Sequence, residues 1–163
     1  VPDSAEAIDL AWLLHLGGDS HQPLHNSARI TAQDPEGDRG GNNFRLAGMY
    51  PFNNLHAYWD ALVGPAFPWR AEDRSEADYV GGIARQIAAR WPRARMEGRL
   101  LPGQIERWSE EGVRVAQRTA YNLRRDEAAP PGYRRAAWAA AEPRIALAGY
   151  RLADLLNRSL GGA

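Results

Sequence analysis

Residues 15–25 read HLGGDSHQPLH, and this run holds three of the four histidines in the chain. His15 and Asp19 are four residues apart, so in a helix their side chains would lie on one face, with Cβ atoms about 5–6 Å apart. His25 follows Asp19 after a break at Pro23. Imidazole nitrogen and carboxylate oxygen both bind Zn²⁺, at about 2.0–2.2 Å. The run therefore contains three candidate metal ligands.

The fourth histidine repeats this spacing, because Asp60 follows His56 by four residues. A single pair of this kind is more typical of a hydrogen-bonded surface pair, and a lone histidine such as His15 is more typical of a core residue. Two pairs together with His25 leave a metal site and a structural role as equally acceptable interpretations. The chain has no cysteine, so histidines and carboxylates would have to bind any metal.

Composition places the chain among globular proteins. With 44% hydrophobic and 25% charged residues it is neither disordered nor membrane-spanning. The longest apolar stretch, residues 10–16, is too short to cross a bilayer. All twenty basic residues are arginine, and residues 1–60 carry three of them against eight acids. Bound Zn²⁺ ions would neutralise such an acidic region, whereas the arginines alone do not argue for nucleic acid.

Hydrophobic periodicity predicts five helices and no strand, in a single all-α domain over residues 1–163. Asp3 is the expected cap of the first helix, and Asn53 or Asn54 is the expected cap of the second. The apolar stripes are expected to face the core, as in the first helix with Ile8, Ala11, Trp12 and His15. The polar loop over residues 26–53 is long enough to indicate a functional segment. The helices are expected at about residues 3–19, 54–63, 75–91, 103–125 and 133–160.

Three motifs in this order resemble the trinuclear zinc-dependent nuclease family, which comprises fungal single-strand nucleases, plant bifunctional nucleases and bacterial relatives. They are residues 15–25, the triplet Gly40-Gly41-Asn42, and residues 54–60, NLHAYWD. Residues 148–157, AGYRLADLLN, resemble the C-terminal helix of the family. The resemblance implies an all-α, phospholipase C/nuclease-like fold around a cluster of three zinc ions, in a secreted or periplasmic protein.

The resemblance also implies a role for each ligand. His25, His56 and Asp60 would bind one zinc, completed by water. His15 and Asp19 would bind the second, and Asp19 would also reach the third, as a metal-bridging catalytic residue. The implied reaction is hydrolysis of RNA and single-stranded DNA by a metal-bound hydroxide, with 3′-nucleotidase activity as a second reaction. The implied partner is single-stranded nucleic acid or a nucleotide, not a membrane.

The chain departs from the family pattern before its first helix. In the family an N-terminal Trp, an early His, and a further Asp and His also bind zinc, and this sequence has no counterpart of them. We therefore expect the C-terminal portion of the family domain, in which one zinc site is complete, the second is half-built and the third retains Asp19. A fragment of a longer protein is the simplest explanation, and a partner chain that supplies the missing half and a reduced relative that has lost catalysis are the alternatives. The activity of this chain alone stays open. Such a portion is also expected to expose an apolar face that drives self-association.

Three polar residues within the motifs have weaker assignments. Gln22 is predicted to orient a ligand without binding the metal. His21 is predicted to lie behind the ligands or at the surface. Asn42 is predicted to bind substrate or the metal cluster through its amide, although a turn beside two glycines explains it equally well.

Two other functions compete with the nuclease. Zinc-dependent phospholipases C share the fold and the His-x-x-x-Asp-x-x-x-x-x-His spacing. The Gly40-Gly41-Asn42 triplet, the longer loop before His56, and Asp60 in place of Glu favour the nuclease. The other competitor is a non-catalytic helical domain with a structural zinc. A structural site is normally closed by four protein ligands, whereas three leave room for water.

Overall fold

The computed structural model describes residues 4–161, and the regular structure within this range is entirely helical, with no β-strand. The predicted all-α class is therefore confirmed. A 3₁₀ turn covers Pro23–Asn26, a second covers Glu97–Arg99, and a π-helical turn over Ala116–Ala120 extends the sixth helix. The helices are α1 (Ser4–Asp19), α2 (Leu55–Asp60), α3 (Val63–Ala66), α4 (Glu76–Arg90), α5 (Arg93–Met96), α6 (Ile105–Val115) and α7 (Tyr133–Leu160).

Helices α1, α4 and α7 lie where the periodicity predicts them. The hydroxyl of Ser75 caps α4 by accepting a hydrogen bond from the Asp78 N–H at 3.1 Å. The expected cap of α1, Asp3, lies outside the described residues. The cap and apolar spacing of α4 are therefore sufficient to locate that helix.

The second and fourth predicted helices are shorter than expected. Gly64 and Pro65 do not end a helix but lie inside the short helix α3, where a proline in the first turn needs no N–H partner. The fourth helix was expected to reach residue 125 but ends in the π-helical turn before Tyr121. The Tyr121 hydroxyl donates to Asp38 Oδ1 at 3.0 Å, which ties the end of this helix to the polar loop.

The core consists of two apolar clusters. The first packs Leu24, Leu55 and Trp59 against the π-helical turn and the start of α7. The second joins α4, α5 and α7 around Ile87 and Leu147. Because Leu24 and Leu55 are direct neighbours of His25 and His56 in sequence, the first cluster fixes the backbone that carries those histidines.

Helix α1 packs on α7 through a face other than the one predicted. Gly17 is buried, and a Cβ built on it would lie 3.2 Å from Leu152 Cδ1. The expected core stripe instead faces solvent: Ile8 and Trp12 are each 58% exposed. The stripe prediction for this helix is therefore wrong, because the small residue, not the aromatic one, allows the helices to approach. Among the described residues no helix is long and apolar enough to span a membrane.

Candidate metal centre

The turn that follows α1 brings His25 back beside Asp19. Gln22 caps the 3₁₀ turn, since its side-chain oxygen accepts a hydrogen bond from the Leu24 N–H at 2.6 Å. Pro23 occupies the first position of that turn, where no N–H partner is required. As a result, His25 Nδ1 lies 3.6 Å from Asp19 Oδ2.

Helix α2 presents His56 and Asp60 on a single face. Of the two expected caps, Asn53 and Asn54, it is Asn54 that caps the helix: its Oδ1 accepts a hydrogen bond from the Ala57 N–H at 2.8 Å. His56 Nε2 lies 3.5 Å from Asp60 Oδ2. His56 Nδ1 lies 2.8 Å from the Gly40 carbonyl oxygen, and a carbonyl can only accept, so Nδ1 carries the proton. Nε2, on the side of the ring that faces Asp60, is therefore the nitrogen available to a metal.

His25, His56 and Asp60 form a compact donor set. Each offers one ligand atom, and these atoms all lie within 4.8 Å of one another; no other group of three such side chains occurs in residues 4–161. His25 Nε2 lies 3.9 Å from Asp60 Oδ1. Ligand atoms around a tetrahedral zinc are about 3.3–3.6 Å apart, so the set fits one zinc ion with small side-chain adjustments.

His15 and Asp19 lie directly beside this donor set. His15 Nε2 is 3.1 Å from Asp19 Oδ2, and the His15 side chain is 65% exposed. The same Asp19 oxygen faces His25, so the His25 ring lies between two carboxylates, Asp19 on one edge and Asp60 on the other. The arrangement agrees with a second, half-built site that shares Asp19, which stays a prediction.

The amide of Gln22 holds one oxygen of Asp60. Gln22 Nε2 donates to Asp60 Oδ1 at 2.8 Å, while its oxygen is engaged by the Leu24 N–H. Both ends of the amide are thus used, which agrees with the predicted orienting role. The exposed Asn42 amide donates to the Arg39 carbonyl at 2.8 Å, a contact within its own turn. Its role toward substrate stays a prediction.

His21 is not a surface residue. Its side chain is buried, with Nδ1 2.9 Å from the Gly17 carbonyl oxygen and Nε2 2.9 Å from Arg151 Nη1. The ring therefore donates through Nδ1 and accepts through Nε2. Burial, reinforced by the charges of Arg144 and Arg151, lowers the pKa of His21 from 6.5 to about 4. His21 is consequently neutral and structural at physiological pH.

The donor set borders a cleft of about 540 Å³, a size typical of small-ligand sites. Asp19, His25 and Asp60 contribute polar atoms to its lining. Much of the remaining lining is apolar and includes Leu62, Val63, Ile145 and Ala148. The cleft can therefore accept a ligand with one charged and one apolar part.

Several residues that hold the site were not predicted from the sequence. The Gly40 carbonyl orients His56, and the Asn26 amide and Arg144 guanidinium bind carbonyls of the turn between Asp19 and His25. Contacts to backbone carbonyls leave no residue pattern that could reveal them. The available signal for Arg144 was a charged residue directly before the apolar run at residues 145–148.

A family model for the S1/P1 nuclease matches residues 2–161. The chain belongs to the S1/P1 nuclease family. This membership confirms the resemblance read from the three motifs, and it makes the chain a relative of nucleic-acid hydrolases. The zinc dependence of S1/P1 nucleases agrees with the donor set formed by His25, His56 and Asp60. No curated protein and no solved structure gives a significant match to the chain.

Proposed function

We propose that this S1/P1 family member is a zinc-dependent nuclease that hydrolyses phosphodiester bonds in RNA and single-stranded DNA, with 3′-nucleotidase activity as a second reaction. The observation that carries the proposal is the convergence of His25, His56 and Asp60, whose donor atoms lie within 4.8 Å of one another at the edge of the cleft. Three donors leave a fourth position open, which is typical of catalytic zinc sites.

Some residues of the chain would bind the zinc, and others hold those ligands in place. When bound, zinc supplies Lewis acidity toward a phosphoryl oxygen and acidifies water. The Gly40 carbonyl holds His56 in the ligand tautomer, and Gln22 holds Asp60 by one oxygen. Asp19, between His15 and His25, is the residue proposed to bridge to further ions. These contacts fix the donors before substrate arrives, so binding requires little reorganisation.

The apolar lining of the cleft supports single-stranded substrates. A nucleoside placed there would bury its base against Val63 and Ile145, and only an unpaired base is free to leave the stack without breaking a base pair. Asn42 is proposed to contact the substrate from the neighbouring loop. Export from the cytoplasm, as is typical of the family, is part of the same proposal.

The test combines metal content with cleavage. Elemental analysis of protein purified without chelator is paired with assays on single-stranded DNA and on phosphatidylcholine. We expect bound zinc and DNA cleavage in the wild type, and loss of zinc and at least about 100-fold lower cleavage in Asp60→Asn. The matched control is Asp126→Asn, which removes an exposed carboxylate paired with Arg45 at 2.7 Å and should change neither result.

The outcomes separate the competing functions. About three zincs per chain with DNA cleavage would support the complete mechanism of the family. One zinc without cleavage of either substrate would indicate a non-catalytic zinc domain or an inactive portion of the enzyme. Cleavage of phosphatidylcholine without cleavage of DNA would contradict the nuclease and favour the phospholipase C class.

A further inference from the structure

Two arginines of α7 are buried beside the turn that carries the predicted ligands. Arg144 is 2% exposed and Arg151 is 1% exposed. A buried guanidinium is costly unless its charge and its N–H groups are satisfied. Glu111 supplies the opposite charge. Its carboxylate accepts hydrogen bonds from Arg151 Nη1 and Nη2 at 2.9 and 3.0 Å. The same carboxylate lies 3.6 Å from Arg144 Nη1. Arg144, Arg151 and Glu111 therefore form a largely buried network of ion pairs and hydrogen bonds.

Arg144 binds the backbone of the turn between Asp19 and His25, which we call the ligand turn. Its Nε donates to the His21 carbonyl at 2.6 Å, and its Nη2 reaches the Ser20 carbonyl at 3.3 Å. These two carbonyls lie between Asp19 and His25 in the chain. Burial lowers the pKa of Arg144 to about 10, so the guanidinium stays charged at neutral pH. The planar guanidinium of arginine donates several hydrogen bonds in fixed directions, which the ammonium group of lysine does not.

The same turn is supported from a second side. Asn26 Nδ2 donates to the carbonyls of Ser20 and Gln22, at 2.9 and 3.0 Å. Asn26 itself packs on α6 at Gly112, where a Cβ would lie 2.6 Å from Asn26 Nδ2. The Ser20 carbonyl is thus bound by two side chains at once, one from α7 and one from the turn itself. The conformation of the turn is set by contacts that do not involve a metal.

We propose that Arg144 is a positioning residue for the metal centre. It holds the Ser20–His21 backbone in the conformation in which His25 faces both Asp19 and Asp60. The inference rests on the metal centre proposed above. If the turn were free, metal binding would have to order it, and the lost conformational entropy would lower the affinity. A role in fold stability alone would leave the metal affinity unchanged.

The experiment compares metal affinity with stability in matched variants. Arg144→Met removes the guanidinium group, and Arg144→Lys keeps the positive charge but has fewer hydrogen-bond donors in fixed directions. The control is Arg90→Met, which breaks an ion pair of Arg90 Nη1 with the buried Glu142 of α7 at 2.6 Å. Zn²⁺ and Co²⁺ affinities are measured by chelator competition. The Co²⁺ absorption spectrum reports ligand geometry, and urea unfolding of the metal-free protein reports stability.

We expect Arg144→Met to lower the metal affinity about 10- to 100-fold and to change the Co²⁺ spectrum, as for other residues that hold ligands in place. Arg144→Lys should fall between this variant and the wild type. Arg90→Met should lose stability but keep the wild-type affinity and spectrum.

Two results would overturn the inference while leaving the metal centre in place. Wild-type affinity in Arg144→Met, or in Arg144→Lys if the methionine variant does not fold, would show that the arginine acts on stability alone. An affinity loss of equal size in Arg90→Met would show that any destabilisation of α7 weakens metal binding. A wild-type protein that binds neither ion would instead refute the metal centre itself, and the inference with it.

Discussion

Gly40 has no side chain, but its backbone carbonyl orients the ring of His56. Its φ is +63°, and a Cβ at this position would lie 2.4 Å from the Leu24 carbonyl oxygen. The Gly40 carbonyl accepts a hydrogen bond from the N–H of His56 Nδ1. Any larger residue must move either this peptide or Leu24, and Leu24 is the neighbour of His25. The position therefore requires glycine for both conformational and packing reasons.

We predict that Gly40→Ala destabilises the protein by about 1–3 kcal/mol and weakens zinc binding, because the clash displaces the carbonyl that fixes His56. The matched control is Gly18→Ala within α1, where no atom lies within 4 Å of a new Cβ. That substitution should be neutral or stabilise by up to about 1 kcal/mol. Urea unfolding and chelator competition measure the two effects. Equal stability of both variants would contradict this account of Gly40.

Sequence patterns indicate the candidate donors, whereas the contacts that hold those side chains in place leave no such pattern. His56 and Asp60 share a face of α2, as their four-residue spacing indicates. Their grouping with His25 was implied by the family resemblance, because it depends on the turn at Pro23 and not on helical periodicity. Gly40 was noticed as part of a motif, but its carbonyl contact depends on how a long loop folds back on α2. The role of Arg144 could not be predicted, because its hydrogen-bond acceptors near the site are the backbone carbonyls of Ser20 and His21.

The same distinction applies to whole helices. Helices α4 and α7 begin and end where caps, prolines and apolar spacing predict. Helix α1 has the predicted length, but its buried face could not be predicted, because Gly17 rather than an apolar side chain makes the close contact with Leu152. The π-helical turn at Ala116–Ala120 has no sequence signal, since tertiary contacts rather than local propensity end a helix early.

The contact between the ligand turn and α7 should depend on pH through His21. The pKa of this histidine is about 4 in the fold, against 6.5 as its ordinary value, because burial disfavours the charged ring. The unfolded chain therefore binds more protons between these values, so stability is complete above pH 6.5 and is lost as the pH falls toward 4. For the metal-free protein we expect a loss of about 2 kcal/mol between pH 7 and pH 5 from this group.

The measurement is urea unfolding at both pH values in the presence of a chelator. His21→Gln supplies an acceptor for Arg151 but cannot be protonated, so the loss between the two pH values should shrink by that amount. The difference between the two proteins isolates His21 from the other titrating groups. An identical pH dependence in both would contradict a buried, neutral His21.

At the scale of the whole molecule, an apolar stripe runs along the outer face of α1. Ile8, Trp12 and Leu16 follow one another at four-residue intervals and are 58%, 58% and 56% exposed. His15 lies beside this stripe, with its ring 6.2 Å from that of Trp12. Whatever covers the stripe will therefore also approach His15 and Asp19, the predicted ligands of a second zinc. Exposed apolar stripes of this kind favour association in water.

We predict that the isolated chain self-associates through this stripe, so its mass by light scattering should rise with concentration. Trp12→Glu should shift the equilibrium toward the monomer, because a charge in the contact would have to be desolvated. Ile30→Glu is the matched control, since Ile30 is 74% exposed but lies outside α1, and it should leave association unchanged. A monomer at all concentrations would contradict the prediction. A response to Ile30→Glu equal to that of Trp12→Glu would place the contact elsewhere.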